Sequence, residues 1–501
     1  MVSEGNARRT IMEKIRRDVL KRIKPNKKEA ERLKKITMKL LETAALVGKK
    51  YRYHPMPVGS TARGTWLKGD SDIDIFLLFP KSVAREELEA KGLSAGKEIV
   101  KKLGGTYEIK YAEHPYVRAT LSSEVVDVSE TPEIYNVDIV PCYRINLGEK
   151  IISAVDRSPL HNAYVLQHLD PSLRDEVRLL KQFCKGIGIY GSDLKVRGIS
   201  GYLCELLVIR YGRFQNVLKA VSRFSPGTII DIENRWFASE EEFKRVEHSI
   251  RKRFRNEPLI VIDPVDRNRN VASALNCENF VKFVCKSREF LSVIRRDTLE
   301  YLDFFFPKKR KLNAREIASL RRRGTHFVAV VFEKPDTIDD ILYPQLRKAL
   351  QRIATSLRTR EFSIVRAYEF VANNTCMLVF EIEQRTLPLV EKREGPSIFA
   401  SKNCRDFLTK YASPLYGPYV EGANFVIERQ REFLTPEEVI KRRYLDLTAQ
   451  QLREKGIPSE IAKTLPKGKI VSGERFFELL EREEELSKFM KEKYFETRLR
   501  L

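Results

Sequence analysis

The chain has 501 residues, of which 92 are Lys or Arg and 69 are Asp or Glu, leaving a formal charge of +23. Its length predicts about three domains, and its 42% apolar content excludes a wholly disordered chain. No apolar run approaches the roughly 20 residues that a membrane span requires, and the positive surplus favours a polyanionic partner such as nucleic acid.

The opening segment, MVSEGNARRTIMEKIRRDVLKRI, has no uninterrupted apolar stretch of the kind that secretory leaders carry, so a cytoplasmic protein is expected. The cysteines at 142, 184, 204, 277, 285, 376 and 404 are scattered and form no C-x-x-C pair. Free, buried thiols in a reducing compartment are expected, with neither disulfides nor zinc.

Taken in chain order, KKEAERLKKITMKLLETAALV (27–47) places Ala30, Leu33, Ile36, Leu40, Ala44 and Val47 at helical spacing. A strand and turn are predicted at Met56 to Ser60, then a strand in SDIDIFLLF (71–79), a basic helix over about 84–103, and strands near 106–112, 116–128 and 136–143. This reads as a mixed α/β domain over 1–150. Helical periods dominate 151–285, interrupted by the turn chemistry of VIDPVDRNRNVASAL. In the remainder, 286–501, THFVAVVF, a helix at 337–358, EFSIVRAYEFVA, the Asn373-Asn374 turn and TCMLVFEIE read as strand, helix, strand, hairpin, strand. That order is the one found in RNA-recognition-like sandwiches, and the segment after about 435 is charged and helical. The whole is an α+β multidomain chain.

The chemistry concentrates in Val58-Gly59-Ser60-Thr61-Ala62-Arg63-Gly64-Thr65 and the Ser71-Asp72-Ile73-Asp74-Ile75 that follows. Residues two apart in a strand share a face, so Asp72 and Asp74 project together while Ile73 and Ile75 enter the core. Adjacent carboxylates repel unless a cation neutralises them, and hard oxygen ligands favour Mg²⁺. A Gly-Ser turn entering a helix exposes backbone N–H groups suited to a triphosphate, with Ser60 as the expected N-cap and Arg63 as an added fixed charge. A third carboxylate is expected from a neighbouring strand. Asp138, in NVDIVP, repeats the Asp-Ile-apolar pattern and is preferred to Asp127, which lies closer to the expected hairpin turn.

Other patterns fail on context. Gly186 to Gly191 fits G-x-G-x-x-G but follows a helical stretch where a dinucleotide fingerprint needs a strand. Gly64 to Ser71 imitates a phosphate loop with Asp70 in place of the lysine, and no H-E-x-x-H is present.

The GS-x-x-R-G-T-W-L-K-G-D-S-D-I-D-I-F segment with the later V-D-I-V-P resembles the polymerase-beta nucleotidyltransferase superfamily. More closely, together with HNAYVLQHL, RLLKQFCKGIGIYGSDLKVRGISGYLCELL, VIDPVDRNRNVA and GPYVEGANFVIE, it resembles archaeal-type (class I) CCA-adding enzymes. The resemblance implies a polymerase-beta-like palm over 1–150, a helical nucleotide-binding domain over 151–285 and a tRNA-binding region over 286–501. It implies a two-metal Mg²⁺ site on Asp72, Asp74 and Asp138, and nucleotide binding by Ser60, Arg63, His161, Lys181 and Tyr190. Arg269, in preference to its neighbour Arg267, matches an arginine used in choosing between C and A. The implied substrates are CTP, ATP and the acceptor and T-arm half of tRNA, and a homodimer is the implied assembly. The alternatives are a poly(A) polymerase and, less favoured because the carboxylates and Gly-Ser turn are intact, a non-catalytic RNA-binding protein.

Overall fold

The computed structural model describes residues 2–70, 72–111, 113–125, 133–294 and 299–496. It divides into two units, one over residues 1–308 and one beginning at residue 309.

In the first unit, Val2–Ile23 (α1) is followed by Lys27–Tyr51 (α2), whose Leu33, Ile36, Leu40, Ala44 and Val47 are all buried, as their helical spacing requires. Asn26 starts α2 with a reciprocal cap: its side chain accepts from the Glu29 amide, and the Glu29 carboxylate accepts from the Asn26 amide. Next come His54–Val58 (β1), Gly59–Arg63 (α3), Ile73–Phe79 (β2), Arg85–Lys102 (α4), Thr106–Lys110 (β3), Tyr116–Ser122 (β4) and Ile134–Tyr143 (β5). The strands form one sheet in the order β1-β2-β5-β4-β3, with only β2 and β5 parallel. Ile73, Ile75, Val117, Ala119, Val137 and Ile139 line the face that shares a core with α2 and α4.

The helical part follows with Arg157–His168 (α5), Arg174–Gly186 (α6), Gly201–Tyr211 (α7), Phe214–Val221 (α8), Glu240–Arg253 (α9) and Cys277–Val293 (α10). It also holds a sheet the sequence reading did not anticipate. Thr228–Asp231 (β6), Leu259–Asp263 (β7) and Asp266–Asn270 (β8) pair in that order, so the stretch read as turn chemistry is a hairpin whose first strand is entirely buried. The boundary expected at 285 falls inside α10. Phe290, Phe304 and Phe305 share one aromatic cluster with Phe183 and Phe214, so this core continues past the expected boundary. Helix α1 belongs to it as well: Ile15, Val19 and Ile23 pack there, and Lys24 pairs with Asp175 at 2.8 Å.

In the second unit, Ala314–Arg321 (α11), His326–Glu333 (β9), Asp339–Arg358 (α12), Ile364–Ala372 (β10) and Thr375–Ile382 (β11) follow the expected order. A second sheet comprises Val390–Ser397 (β12), Tyr416–Glu421 (β13) and Asn424–Gln430 (β14), with Ser401–Lys410 (α13) between its first two strands. Lys469–Ser472 (β15) returns to the first sheet, giving the fully antiparallel order β10-β11-β9-β15. One face of this sheet, with Val328, Val330, Leu378 and Phe380, packs with α12. The opposite face is also closed. Phe327, Ala329, Met377 and Val379 are buried with Phe476, Phe477, Leu486 and Met490 of the helices Glu474–Arg482 and Glu484–Lys491. Glu381 pins this closure, accepting from Arg323 at 2.6 Å, Thr325 at 2.7 Å and the Tyr494 hydroxyl at 2.7 Å. The sandwich order thus comes without the open sheet face on which RNA-recognition domains stack bases.

Among the described residues every cysteine is free, with Cys277 exposed and Cys285 half-buried while the others are buried. No helix among them is long and apolar enough to cross a membrane.

The Phe327 and Phe476 rings stack with centroids 5.2 Å apart. Phe476→Ala is expected to destabilise the second unit by about 3–5 kcal/mol, read as lost hydrogen-exchange protection of β9 amides in urea. Unchanged protection would mean that the C-terminal helices do not hold this sheet.

Candidate active site

The sheet register assembles the site. In one lateral row, Val58 of β1 stands opposite Asp74 of β2, Asp74 opposite Asp138 of β5, and Asp138 opposite Arg118 of β4. Residues aligned across a sheet share a face, so Asp74, Asp138 and Arg118 project together on the side away from the α2–α4 core. Arg118 reaches across the carboxylates, with Nη1 3.6 Å from Asp138 and Nη2 3.9 Å from Asp72. Asp72, one residue before β2, is exposed and accepts from Asn136 Nδ2 at 3.3 Å. Asp127, the rival third carboxylate, lies outside the described residues.

Gly59 explains how the turn approaches this row. Its φ is +81°, and a Cβ placed there would stand 2.1 Å from Asp74 Oδ2, so only glycine fits. The N-cap of α3 is Val58. Ser60 is therefore the second residue of a five-residue helix and not the expected cap.

Burial is the first cause that raises the Asp74 pKa, and Asp138 and Asp72 add to it against Arg63 and Arg118, taking it to about 7. Asp138 is raised too, first by burial and then by Asp72, with Arg118 opposing. Asp138 Oδ1 is buried and, among the described residues, accepts no hydrogen bond. The three carboxylates are not gathered into a ready ligand set: among the described residues no group of three potential ligands stands at metal-holding geometry. The donors nevertheless suit a hard divalent cation, because a cation would relieve both the orphaned oxygen and the repulsion that holds Asp74 high.

Apart from Tyr190, the remaining expected residues fall into two groups, each organised by a buried carboxylate that the sequence reading missed. The first is Glu205 of α7, which is fully buried. It accepts from Arg63 Nε at 3.0 Å and Thr65 Oγ1 at 2.5 Å, and Lys181 Nζ lies 3.8 Å away. Lys181 is only 2% exposed and donates to Thr65 O and Oγ1 at 3.2 Å each. Tyr190 is half-buried, with Lys185 Nζ 5.4 Å from its ring centre.

The second is Asp263 at the end of β7, also fully buried. It receives His161 Nε2 at 2.8 Å and Arg269 Nη1 at 2.7 Å, while the Tyr202 ring stacks on His161 at 4.0 Å. Burial raises the Asp263 pKa, but the His161 hydrogen bond and the Arg269 charge outweigh it and hold the group low. Burial lowers the His161 pKa, against Asp263, which raises it. Arg267, the neighbour that competed with Arg269, instead lies over the Trp236 ring at 4.6 Å. The sequence signal for both missed carboxylates was an acidic residue inside an apolar run, GYLCELLVI and LIVID, which burial tolerates only with partners.

In metal-free protein, the folded Asp74 pKa of about 7 exceeds the unfolded value of about 4. The native state then binds the extra proton, so Asp74 costs stability progressively as pH rises from about 4 to 7. Asp74→Asn is therefore expected to gain stability relative to the parent across that window in EDTA, read by melting temperature at several pH values. A pH-independent difference would contradict the assigned shift.

Three family models match in succession: a nucleotidyltransferase domain at residues 56–161, the second domain of tRNA nucleotidyltransferase at 175–301, and the C-terminal domain of the CCA-adding enzyme at 323–473. The chain is 41% identical over 403 residues to a CCA-adding enzyme of Methanocaldococcus jannaschii, covering 80% of this chain and 84% of that one. It is 36% identical over 444 residues to that of Methanosarcina acetivorans, covering 87% and 90%. A third, from Methanococcus maripaludis, is 38% identical over 421 residues, covering 84% and 88%.

Proposed function

The chain belongs to the CCA-adding enzymes, and from that premise we propose how its own residues add C, C and A to tRNA 3′ ends from CTP and ATP with release of pyrophosphate. The observation that carries the reading is the pairing of Asp74 with Asp138 in parallel strands, beside a turn that only glycine fits.

Asp74 and Asp138, with Asp72, are the residues we assign to hold a divalent metal, Mg²⁺ in this reading. When bound, such a cation lowers the pKa of the attacking ribose hydroxyl and neutralises charge on the leaving pyrophosphate. The α3 turn offers Ser60 and the first backbone N–H groups to the triphosphate. Arg63 and Lys181 supply positive charge behind that turn and exceed by one the negative charge of Glu205 between them. His161, Tyr190 and Arg269 are assigned to the nucleoside. The His161 and Arg269 side chains are fixed by the shared Asp263 carboxylate, so their remaining polar atoms present a rigid edge on which base choice between C and A can rest.

The partner is the acceptor and T-arm half of tRNA, met through phosphates and shape by a chain carrying a charge of +23. The cytoplasm is the compartment of this reading. The sheet of the second unit that has RNA-recognition order takes no base-stacking role in it, since both faces are covered.

The test is gel analysis of tRNA ending at the discriminator base, incubated with Mg²⁺ and CTP alone, ATP alone, or both. Two additions with CTP and a third only when ATP is present are expected, and Asp72→Ala or Asp138→Ala abolishes both activities while tRNA binding persists. A long A ladder would move the assignment to poly(A) synthesis. Tight tRNA binding with no extension would favour a non-catalytic role.

A further inference from the structure

Glu205 has no solvent exposure, and its ionised form survives burial only because cations stand beside it. Those cations come from opposite sides of the fold: Arg63 ends α3, next to the catalytic sheet, whereas Lys181 lies in α6. Thr65 joins them, its hydroxyl donating to Glu205 at 2.5 Å and accepting from Lys181 at 3.2 Å. The network closes around the start of α3. Arg63 Nη1 donates to Asn162 Oδ1 at 3.4 Å, and Asn162 Nδ2 donates to the Pro57 carbonyl at 3.3 Å, two residues before Gly59.

The far side of the network is equally fixed. Gly201 opens α7, and a Cβ there would lie 3.0 Å from the Tyr190 hydroxyl and 3.4 Å from Lys181 Nζ. The Lys181 ammonium and the Tyr190 hydroxyl therefore stand at the same helix start, where a side chain in place of Gly201 would crowd them. Burial raises the Glu205 pKa, but Arg63 and Lys181 outweigh it, and the group stays ionised.

We propose that Glu205 is a positioning residue for the nucleotide triphosphate: the common counter-ion of Arg63 and Lys181, it sets where both cations stand behind the Gly59–Ser60 turn without touching nucleotide itself. The inference rests on the reading of Arg63 and Lys181 as nucleotide-binding residues. It has a specific consequence. The triphosphate is common to CTP and ATP, so disturbing Glu205 affects both nucleotides equally and leaves the order of addition intact.

The experiment is steady-state kinetics of full-length Glu205→Gln with each nucleotide, alongside tRNA affinity and product sequence. The KM for CTP and the KM for ATP are expected to rise by the same factor, about tenfold for one charge-assisted contact, with a smaller change in kcat, unchanged tRNA affinity and a product still ending in CCA. Thr65→Val, which keeps the charges but removes the bridging hydroxyl, is expected to raise both KM values equally by a smaller factor. Lys181→Met provides the control. It is expected to raise both KM values, and the double variant Glu205→Gln/Lys181→Met to raise them by less than the product of the two single factors, because part of the Glu205 effect passes through Lys181. Unchanged KM in both Glu205→Gln and Thr65→Val, unequal shifts for CTP and ATP, or factors that multiply in the double variant would overturn the proposal. Unchanged KM in Lys181→Met would instead overturn the underlying assignment of Lys181 to the nucleotide.

Discussion

Two carboxylates side by side in parallel strands are the constraint on which the rest of this site depends. Adjacent strands lie about 4.8 Å apart, and two unit charges at that spacing repel by about 3–4 kcal/mol at an effective dielectric near 20. The register of β2 and β5 imposes this on Asp74 and Asp138, because a one-residue slip would turn either Ile73 and Ile75 or Val137 and Ile139 out of the core. The hydrophobic pattern thus fixes an electrostatic conflict. Arg118 relieves part of it from β4, and protonation of Asp74 relieves more.

Away from the carboxylate row, buried acids organise the basic side chains of the site. Glu205 gathers Arg63 and Lys181, and Asp263 gathers His161 and Arg269. Further bonds tie the segment after α3 to α6: Arg178 donates to the Trp66 carbonyl at 2.9 Å and the Gly64 carbonyl at 2.6 Å, and Lys185 pairs with Asp70 at 2.7 Å. The turn that approaches Asp74 is therefore held from the helical side as well as from the sheet. Helix α1 adds to this junction, since the Ile23 carbonyl accepts from the Lys68 amide at 2.8 Å.

What the sequence made legible follows from periodicity. Alternation in SDIDIF puts Asp72 and Asp74 on one face, the repeated Asp-Ile pattern in NVDIV singles out Asp138, and helical spacing in 27–47 marks the stripe that faces the core. Long-range pairing was not legible. Glu205 and Arg63 are 142 residues apart and His161 and Asp263 are 102 apart, so no local pattern joins them. The β7–β8 hairpin is local, but its strands are short, and the long-range limit hid the burial of a sheet face by helices that begin at Glu474. Residue type marks Ser60 as a cap, but the cap of α3 is Val58, two residues earlier, and Gly59 between them is set by its close approach to Asp74.

The most direct test of the account is Mn²⁺ titration of the full chain, followed by electron paramagnetic resonance without nucleotide or tRNA. Saturable binding is expected, lost in Asp74→Asn and Asp138→Asn, and also in Gly59→Ala, where the new Cβ displaces the Asp74 carboxylate. Undiminished Mn²⁺ binding in Asp138→Asn would contradict the claim that the β2–β5 pairing builds the metal site.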